Sequence, residues 1–460
     1  MKLWSIPEAG ARGSGKVAPG PGALQFILGV RAHGFLKYVG ELWRTYGDLF
    51  QVRIGPRTLV FALHPDAVER ISVSHRQNYE KRRSYDPVRR YLLGDGLVVS
   101  TGDLWRRQRK LMAPFYTPKG VQAYAALMIR DGERLAERWQ GLARDGAEVE
   151  ISEEMTQVTA SIILKAMFGV ETIAAMEGMK DAVSTMIAFV DNQMTGVRLP
   201  LWVPTARNRG YRAARVLVRG TIESLISRRR ATAEADWPDD LLSRLMHARD
   251  EETGQPMSES LLRDESITTF FAGHETTART MTFAWYALAT HPAAAERLHA
   301  ELDRVLGGRT PTVEDVRQLP YTLQVVKEVL RLYPPAPFYV RDAVAADEIG
   351  GFAVPAGAAV MLSPYYTHRH AGFWEDAEKF DPDRWTRERE AGRHGHAYHP
   401  FAAGPRVCIG NNFSLLESHL LLAILAQRFA PQLRAGSEPA WVMRGTLDFV
   451  GGLPMRLVAR

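Results

Sequence analysis

The 460-residue sequence contains a single cysteine, Cys408, within the stretch Phe401-Ala-Ala-Gly404-Pro-Arg406-Val-Cys408-Ile-Gly410. A lone cysteine cannot form a disulfide within its own chain, so the fold must be held by its apolar core rather than by covalent bridges. Most such cysteines are buried thiols that pack like small apolar side chains. The residues around Cys408 decide between that interpretation and a chemical role.

The neighbours of Cys408 favour a chemical role. Apolar residues at helical spacing follow it, which places the thiol where a loop enters a helix. Amides at a helix start stabilise a thiolate, and Arg406 adds a positive charge. Gly404 and Gly410 let the backbone approach a flat ligand closely. A thiolate in such a loop suits a soft or borderline metal, including haem iron.

Composition and charge narrow the class of protein. The chain is 46% hydrophobic with 10 Trp and 18 Phe, enough for a large core. Its net charge is +6, but the arginines are scattered among acids, which indicates a mixed-charge surface, or a patch for an acidic protein partner, rather than a nucleic-acid site. The apolar segment Ala23–Val30 is too short to span a membrane and lacks the features of a signal peptide. We therefore expect no membrane span, no nucleic-acid partner and a cytoplasmic location, consistent with the single cysteine.

Apolar periodicity predicts a mostly helical chain from Asp103 to about Ala430. The predicted helices are 35–46, 104–113, 120–140, 152–168, 177–190, 211–232, 239–249, 259–290, 292–306, 321–332 and 409–429, with another starting at His64. Predicted β segments are a hairpin at 50–54 and 59–62, short runs within 338–362, and a last hairpin at 448–458. Residues 84–100 are predicted to form a long irregular loop. We expect a small sheet, built from distant segments, to join both ends of the chain in one unit.

The predicted helix at 259–290 has an unusual centre, Ala272-Gly273-His274-Glu275-Thr276-Thr277. Glycine costs a helix interior about 1 kcal/mol relative to alanine, and threonine is a mediocre helix former. An acid and two hydroxyls in an otherwise apolar helix require partners. The pattern favours a functional break, in which a carbonyl leaves the hydrogen-bond ladder and opens a notch for a small ligand, over a solvated stripe.

The stretch 401–410 is similar to the haem-binding signature of the cytochrome P450 superfamily, Phe-x-x-Gly-x-Arg-x-Cys-x-Gly, at every fixed position. The resemblance implies the cytochrome P450 fold, mainly α with a small β region. It implies a single domain over residues 1–460, with an irregular N-terminal arm at 1–22 and no fused reductase. It also implies haem b (heme b, iron protoporphyrin IX) with the Cys408 thiolate as metal ligand.

The resemblance extends to the other motifs and assigns roles to them. The 272–277 stretch resembles the family's oxygen-binding motif, in which Thr276 donates a hydrogen bond to dioxygen and Glu275 helps to relay protons. Glu328, Arg331 and Arg384 match a buttress behind the haem. The residues implied in haem binding are Trp105, Arg109, Arg341 and Arg406 at the propionates, together with Phe401, Gly404, Gly410 and Ala272. Many relatives carry His where this chain has Gln108, and Asp where it has Glu275.

By the same resemblance, the substrate pocket is lined by the 84–100 loop, the 186–200 region, the oxygen helix, residues 337–340 and residues 446–447. The side chains implied in this pocket are Tyr85, Met186, Phe189, Phe271, Phe338 and Leu447. They are apolar or aromatic, which is typical of a site for a fatty acid, a terpenoid or a steroid.

The resemblance implies a haem-thiolate monooxygenase that activates O2 and hydroxylates or epoxidises an apolar substrate. Electrons would come from a separate ferredoxin or flavodoxin with its NAD(P)H reductase, and the enzyme would be a monomer. A peroxide-driven peroxygenase and a non-enzymatic haem sensor remain alternatives, although Glu275 and Thr276 argue against both. A zinc site at His394, His396 and His399 is a further alternative, although a polar loop explains them better.

Overall fold

The computed structural model describes residues 16–169, 178–195, 199–250 and 253–460. Most of the predicted arm at 1–22 and part of the 186–200 region therefore lie outside the described residues. The described chain divides into two compact units. The first comprises the described residues within Met1–Ser84, Lys327–Cys408 and Ala440–Met443, and the second comprises those within Tyr85–Val326, Ile409–Pro439 and Arg444–Arg460. The expectation of one domain over residues 1–460 stays a prediction.

Helices dominate the described chain. In chain order they are α1 (Ala23–His33), α2 (Phe35–Tyr46), α3 (Pro65–Glu69), α4 (Asp86–Val88), α5 (Gly102–Met112), α6 (Pro118–Gln122), α7 (Ala125–Arg144), α8 (Ile151–Phe168), α9 (Met179–Thr195), α10 (Ala206–Ala231), α11 (Leu241–His247), α12 (Glu259–Thr290), α13 (Pro292–Leu306), α14 (Pro320–Leu332), α15 (Pro364–Thr367), α16 (Arg387–Glu390) and α17 (Asn411–Ala426). None of these helices is both long enough and apolar enough to cross a membrane.

The strands are short. They are β1 (Lys16–Val17), β2 (Leu49–Ile54), β3 (Arg57–Ala62), β4 (Tyr79–Glu80), β5 (Glu148–Glu150), β6 (Tyr339–Ala343), β7 (Asp347–Ile349), β8 (Phe352–Val354), β9 (Ala359–Leu362), β10 (Phe429–Leu433), β11 (Trp441–Arg444), β12 (Thr446–Phe449) and β13 (Pro454–Ala459). The mainly helical architecture with small sheets agrees with the fold class predicted from the sequence.

A five-stranded sheet in the order β2-β3-β9-β6-β4 organises the first unit. The predicted hairpin is its edge, with Phe50 opposite Phe61, and β9 runs parallel to β3. Because side chains alternate across a strand, Val60 and Val360 pack into one apolar cluster, while Phe61 and Met361 pack into another with α1 and α2. The sheet thus separates two cores and fixes the register of β6.

Helix α12 lies in the core of the second unit and packs most extensively on α8. Ser258 caps its start by accepting a hydrogen bond from the Leu261 amide at 3.3 Å, and Pro292 begins the next helix. Its N-terminal and C-terminal residues, Glu259 and Thr290, are those predicted from the sequence.

Three local predictions differ from the structure. Residues 23–33, considered in the sequence only as a membrane or signal segment, form a helix. The predicted helix at 120–140 is two helices, α6 and α7, because a tight turn forms at Tyr124. Residues 83–93 are short helical turns rather than an irregular loop, with Pro87 in the first turn of α4 and the positive φ of Gly94 ending the run.

The predicted last hairpin is also wrong. Strand β13 pairs with β10 and β5 instead of folding back on β12. Gly451 and Gly452 both have positive φ, and the Leu453 amide donates to Glu150 Oε1 at 2.6 Å. These contacts turn the chain toward the start of α8, which the local sequence could not indicate.

Candidate functional site

The site residues predicted from the sequence divide between the two units. Cys408 and its loop, the buttress, Arg341, Arg406 and Phe338 belong to the first unit. The oxygen-motif helix, Trp105, Arg109 and most of the predicted pocket belong to the second. Each group is described within its own unit.

Backbone hydrogen bonds close the loop that presents Cys408. The Cys408 amide donates to the Phe401 carbonyl at 2.9 Å, and the Val407 amide donates to the Gly404 carbonyl at 3.0 Å. Gly404 has a φ of +66°, and a Cβ at this position would overlap the carbonyl oxygen of Ser72. Glycine is therefore required at 404 by both conformation and space. The loop leaves Cys408 exposed, three residues before α17 begins.

The three predicted buttress residues meet in the first unit. Arg331 and Glu328 have fully buried side chains and form a two-pronged ion pair, with both N···O distances 2.8 Å. Arg384 Nε lies 3.3 Å from Glu328 Oε1. Glu328 also accepts hydrogen bonds from the Trp385 indole at 3.0 Å and the Asp381 amide at 2.9 Å. A buried carboxylate with this many donors is stable as an ion only while all its partners are present.

His368 links this pair to the chain that leads into the cysteine loop. Arg331 Nη1 donates to the His368 carbonyl at 2.9 Å, and His368 Nδ1 lies 3.1 Å from the Arg331 carbonyl. Its Nε2 accepts from the His399 amide at 2.8 Å, so Nδ1 carries the proton of a neutral ring. Burial lowers the pKa of His368 well below its usual value, in agreement with a neutral ring. Sequence reasoning missed His368, because no local pattern marks it.

Arg341 on β6 is a buried cation without a carboxylate partner among the described residues. Its side chain donates to the Val340 carbonyl at 2.8 Å and lies 5.2 Å from the Tyr339 ring centroid. A buried guanidinium normally requires an anion. A haem propionate would supply one, and Cys408 would supply a thiolate ligand for the haem iron. The first unit thus fits the cofactor implied by the sequence.

In the second unit, one face of α12 is open where the motif lies. Ala272 is exposed and Glu275 and Thr276 are half-buried, whereas Phe271 and Thr277 are buried. The Thr276 hydroxyl donates to the Ala272 carbonyl at 2.9 Å. Glu275 and Thr276 therefore both lie at the open face of α12.

The predicted break in this helix is not seen, because α12 is continuous from Glu259 to Thr290. Gly273 has another role: a Cβ there would lie 2.7 Å from Ile163 Cγ1 on α8. The Thr159 hydroxyl of α8 donates to the His274 carbonyl at 3.0 Å in the same region. Gly273 thus permits α12 and α8 to pack closely, which explains why a glycine lies in the middle of this helix.

Helix α5 carries the predicted haem-contacting pair of the second unit. Trp105 and Arg109 are half-buried and one helical turn apart. Gln108 is buried and donates to the Asp95 carbonyl at 3.0 Å. Gln108 thus holds the loop before α5.

The predicted pocket side chains occupy apolar environments. In the second unit, Met186 and Phe189 on α9 and Leu447 on β12 are buried, and Tyr85 is half-buried. Phe189 stacks on Tyr211 with ring centroids 4.1 Å apart. In the first unit, Phe338 packs edge-on against Phe35 at 5.2 Å.

The structure gives no support to a zinc site at His394, His396 and His399. His394 lies 3.1 Å from Asp66, and His399 is buried beside Tyr339. Among the described residues, only Asp48, His64 and His370 come close enough to share an ion.

That second cluster is better explained by hydrogen bonding than by a metal. His64 Nδ1 accepts from the Asp66 amide at 3.1 Å, and His370 Nδ1 accepts from the Gly372 amide at 3.0 Å. Each ring therefore carries its proton on Nε2, the atom that a metal would need. His370 Nε2 instead lies 3.1 Å from Asp48.

Comparison with known proteins identifies the family. The family described as Cytochrome P450 matches residues 19–450. "Cyclooctatin synthase" of Streptomyces melanosporofaciens is 34% identical over 417 residues, which cover 90% of this chain and 89% of the relative. "Pentalenene oxygenase" of Streptomyces avermitilis is 28% identical over 449 residues, covering 95% and 98%. The crystal structure of the cytochrome P450DA heme domain matches with a TM-score of 0.87 and 27% identity, covering 97% of this chain and 98% of that one. The chain therefore belongs to the cytochrome P450 family of haem-thiolate monooxygenases.

Proposed function

We propose that this monooxygenase oxidises a terpenoid, with Cys408 as the haem ligand and electrons from a separate ferredoxin or flavodoxin and its NAD(P)H reductase. The observation that carries the ligand assignment is the closed loop at 401–408, which leaves the chain's single cysteine exposed. The haem, when bound, supplies the redox chemistry that splits O2 and transfers one oxygen atom to substrate.

The protein's part is to hold the cofactor and its charges. Cys408 provides the thiolate, and the Glu328–Arg331–Arg384 cluster supports the segment behind it through His368. Arg341, Arg406 and Arg109 would bind the propionates, since guanidinium groups match carboxylates in two-pronged geometry, and Trp105 would bind them through its indole N–H. Phe401, Gly404, Gly410 and Ala272 would contact the ring, where the two glycines and the alanine allow close approach.

Two side chains of helix α12 take part in proton delivery. The Thr276 hydroxyl orients dioxygen, and Glu275 passes protons toward it from solvent. The half-buried position of both residues on the open face supports these roles. The acid and the hydroxyl argue against a peroxide-driven enzyme, which needs no such proton supply.

A terpenoid is favoured among the three substrate classes because relatives are named for cyclooctatin, pentalenene and carotene. The apolar side chains at 186, 189, 271 and 447 suit such a molecule, since burial of apolar surface would bind it without hydrogen bonds.

Two measurements test the proposal. Cys408→His should retain some haem but lose the strongly red-shifted Soret band of the reduced carbon monoxide complex. Persistence of that band would exclude Cys408 as ligand. Soret titrations with cyclic terpenes, fatty acids and steroids should give the tightest binding for a terpene, and a tighter fatty acid or steroid would overturn the substrate class.

A comparison of electron sources tests the donor. Product should form with NADPH, a reductase and a ferredoxin or flavodoxin, and much more slowly with hydrogen peroxide alone. Faster turnover with peroxide would favour the peroxygenase alternative.

A further inference from the structure

Strand β12 holds the acid of the oxygen motif. The Thr446 hydroxyl donates to Glu275 Oε1 at 2.9 Å. Arg279, one turn further along α12, lies with Nη2 3.9 Å from the same oxygen and 3.0 Å from Asp448 Oδ2. All four residues belong to the second unit, and two of them flank the predicted pocket residue Leu447.

These side chains are largely removed from water. The exposed fraction is 17% for the Glu275 side chain, 15% for Arg279 and 27% for Asp448. At this burial, a carboxylate depends on its protein donors for orientation and charge. Loss of one donor should therefore change how Glu275 is held.

A third carboxyl joins the cluster from α9. The pKa of Asp191 is raised by burial and by the charge of Glu275. Burial also raises the pKa of Asp448, although Arg279 opposes that effect. A Cβ on Gly445 would lie 3.9 Å from Asp191 Oδ1, which places this aspartate beside the turn that leads into β12. The Arg279 guanidinium thus faces the carboxyl groups of Glu275 and Asp448, and Asp191 adds a further carboxyl group near Glu275.

We propose that Thr446 and Arg279 are positioning residues for Glu275, and that Asp448 fixes the Arg279 guanidinium. This rests on the proposed function, in which Glu275 passes protons to Thr276. Proton transfer requires donor and acceptor to be held to within about 0.5 Å, so a Glu275 side chain that loses its donors delivers protons more slowly. Of residues 446 and 447, both assigned to the pocket by resemblance, Thr446 faces Glu275 on the side of β12 opposite Leu447, so its replacement should leave substrate binding unaffected.

The first test is a mutant cycle in the haem-loaded full chain. Thr446→Val and Arg279→Gln should each raise the peroxide released per NADPH several-fold and increase the solvent isotope effect, without shifting the substrate-binding midpoint. Neither should add to the defect of Glu275→Gln. Thr446→Ser restores the hydroxyl and should restore coupling. Arg230→Gln and Thr290→Val, which alter an ion pair and a hydroxyl outside the cluster, should behave like the parent.

The second test does not depend on turnover. Urea unfolding, followed by tryptophan fluorescence, should show a lower midpoint for Thr446→Val. This shift should shrink at least twofold when Glu275 is already alanine, because the hydroxyl has then lost its acceptor. An unchanged shift would overturn the contact on which the proposal stands.

The results of the first test distinguish the positioning proposal from the proposed role of Glu275. If Glu275→Gln uncouples turnover while Thr446→Val and Arg279→Gln remain coupled, the positioning proposal is wrong and the acid role stands. If Glu275→Gln itself has no effect on peroxide release or isotope effect, both the acid role and the positioning proposal fail.

Discussion

Thr276 and Thr277 are neighbours in sequence, but their hydroxyls have different partners. Thr276 is half-buried and donates to the Ala272 carbonyl one turn earlier. Thr277 is buried, and its hydroxyl lies 3.1 Å from that of Ser414 on α17. The Thr276 hydroxyl thus lies at the open face, where its oxygen can still accept a hydrogen bond, while the Thr277 hydroxyl helps two helices pack.

Thr276→Val should consume NADPH at a near-normal rate while most electrons appear as hydrogen peroxide, because the hydroxyl proposed to assist proton delivery is lost. Thr277→Val should stay coupled but lose about 1 kcal/mol of stability with its hydrogen bond to Ser414. Peroxide and product per NADPH, with urea unfolding of both variants, check this. Uncoupling by Thr277→Val alone would reverse the assignment, and coupling in both would exclude an oxygen role for this helix.

Glu328→Gln should leave Arg331 as a poorly compensated buried cation. Breaking such a pair costs about 3–5 kcal/mol, so we expect low haem content and a reduced unfolding midpoint. Glu378→Gln is the matched control, because its partner Arg369 is buried but Glu378 itself is 76% exposed. Full haem loading and parental stability for Glu328→Gln would show that the pair contributes nothing to the fold.

At the scale of elements, the contact between α8 and α12 depends on the absence of a side chain at Gly273. Gly273→Ala should destabilise the protein by about 1–3 kcal/mol through overpacking against Ile163, although alanine is the better helix former. Ile163→Ala in the same chain should recover part of the loss.

Gly141→Ala in α7 is the control for this prediction. Its added Cβ would meet nothing within 4 Å, so we expect stability to rise by roughly 0.5–1 kcal/mol. Equal gains from both glycine substitutions, measured by urea unfolding, would contradict the packing role of Gly273.

An element could be predicted from the sequence when the residues that determine it are neighbours in the chain. The ends of α12 were predictable because Ser258 and Pro292 act on adjacent residues. The pairing of β13 was not, because β5 lies about 300 residues earlier. Spacing and resemblance indicated Glu328 and its arginines, but the Thr446 contact to Glu275 depends on the tertiary arrangement of α12 and β12.

At the scale of the whole molecule, buried titratable groups set the pH range of stability. Burial lowers the pKa of His274 and His419 to about 4 and that of His399 to about 3. These rings are neutral in the fold, whereas the unfolded chain binds protons below about pH 6.5. Their contribution is therefore complete above pH 6.5 and is lost as the pH falls, at up to about 1.4 kcal/mol per pH unit for each histidine.

Glu265 has the opposite effect on the pH dependence of stability. Burial raises its pKa to about 8, so the folded chain keeps a proton that the unfolded chain releases near its ordinary value. Its contribution is present below that ordinary value and is lost as the pH rises toward 8. We expect maximum stability near pH 6.5, measured by urea unfolding from pH 5.5 to 8.5. Glu265→Gln should flatten the alkaline limb, and an unchanged limb would assign it to other groups.

The alternation of side chains along β12 has a consequence for laboratory evolution. Leu447 points away from Thr446 and Asp448, so a proposed pocket position lies between Thr446, which donates to Glu275, and Asp448, which pairs with Arg279. Libraries that randomise residue 447 alone should yield variants with new substrates and intact use of NADPH. Libraries that also randomise residue 446 or 448 should yield mostly variants that release peroxide instead of product, even when they bind the new substrate well.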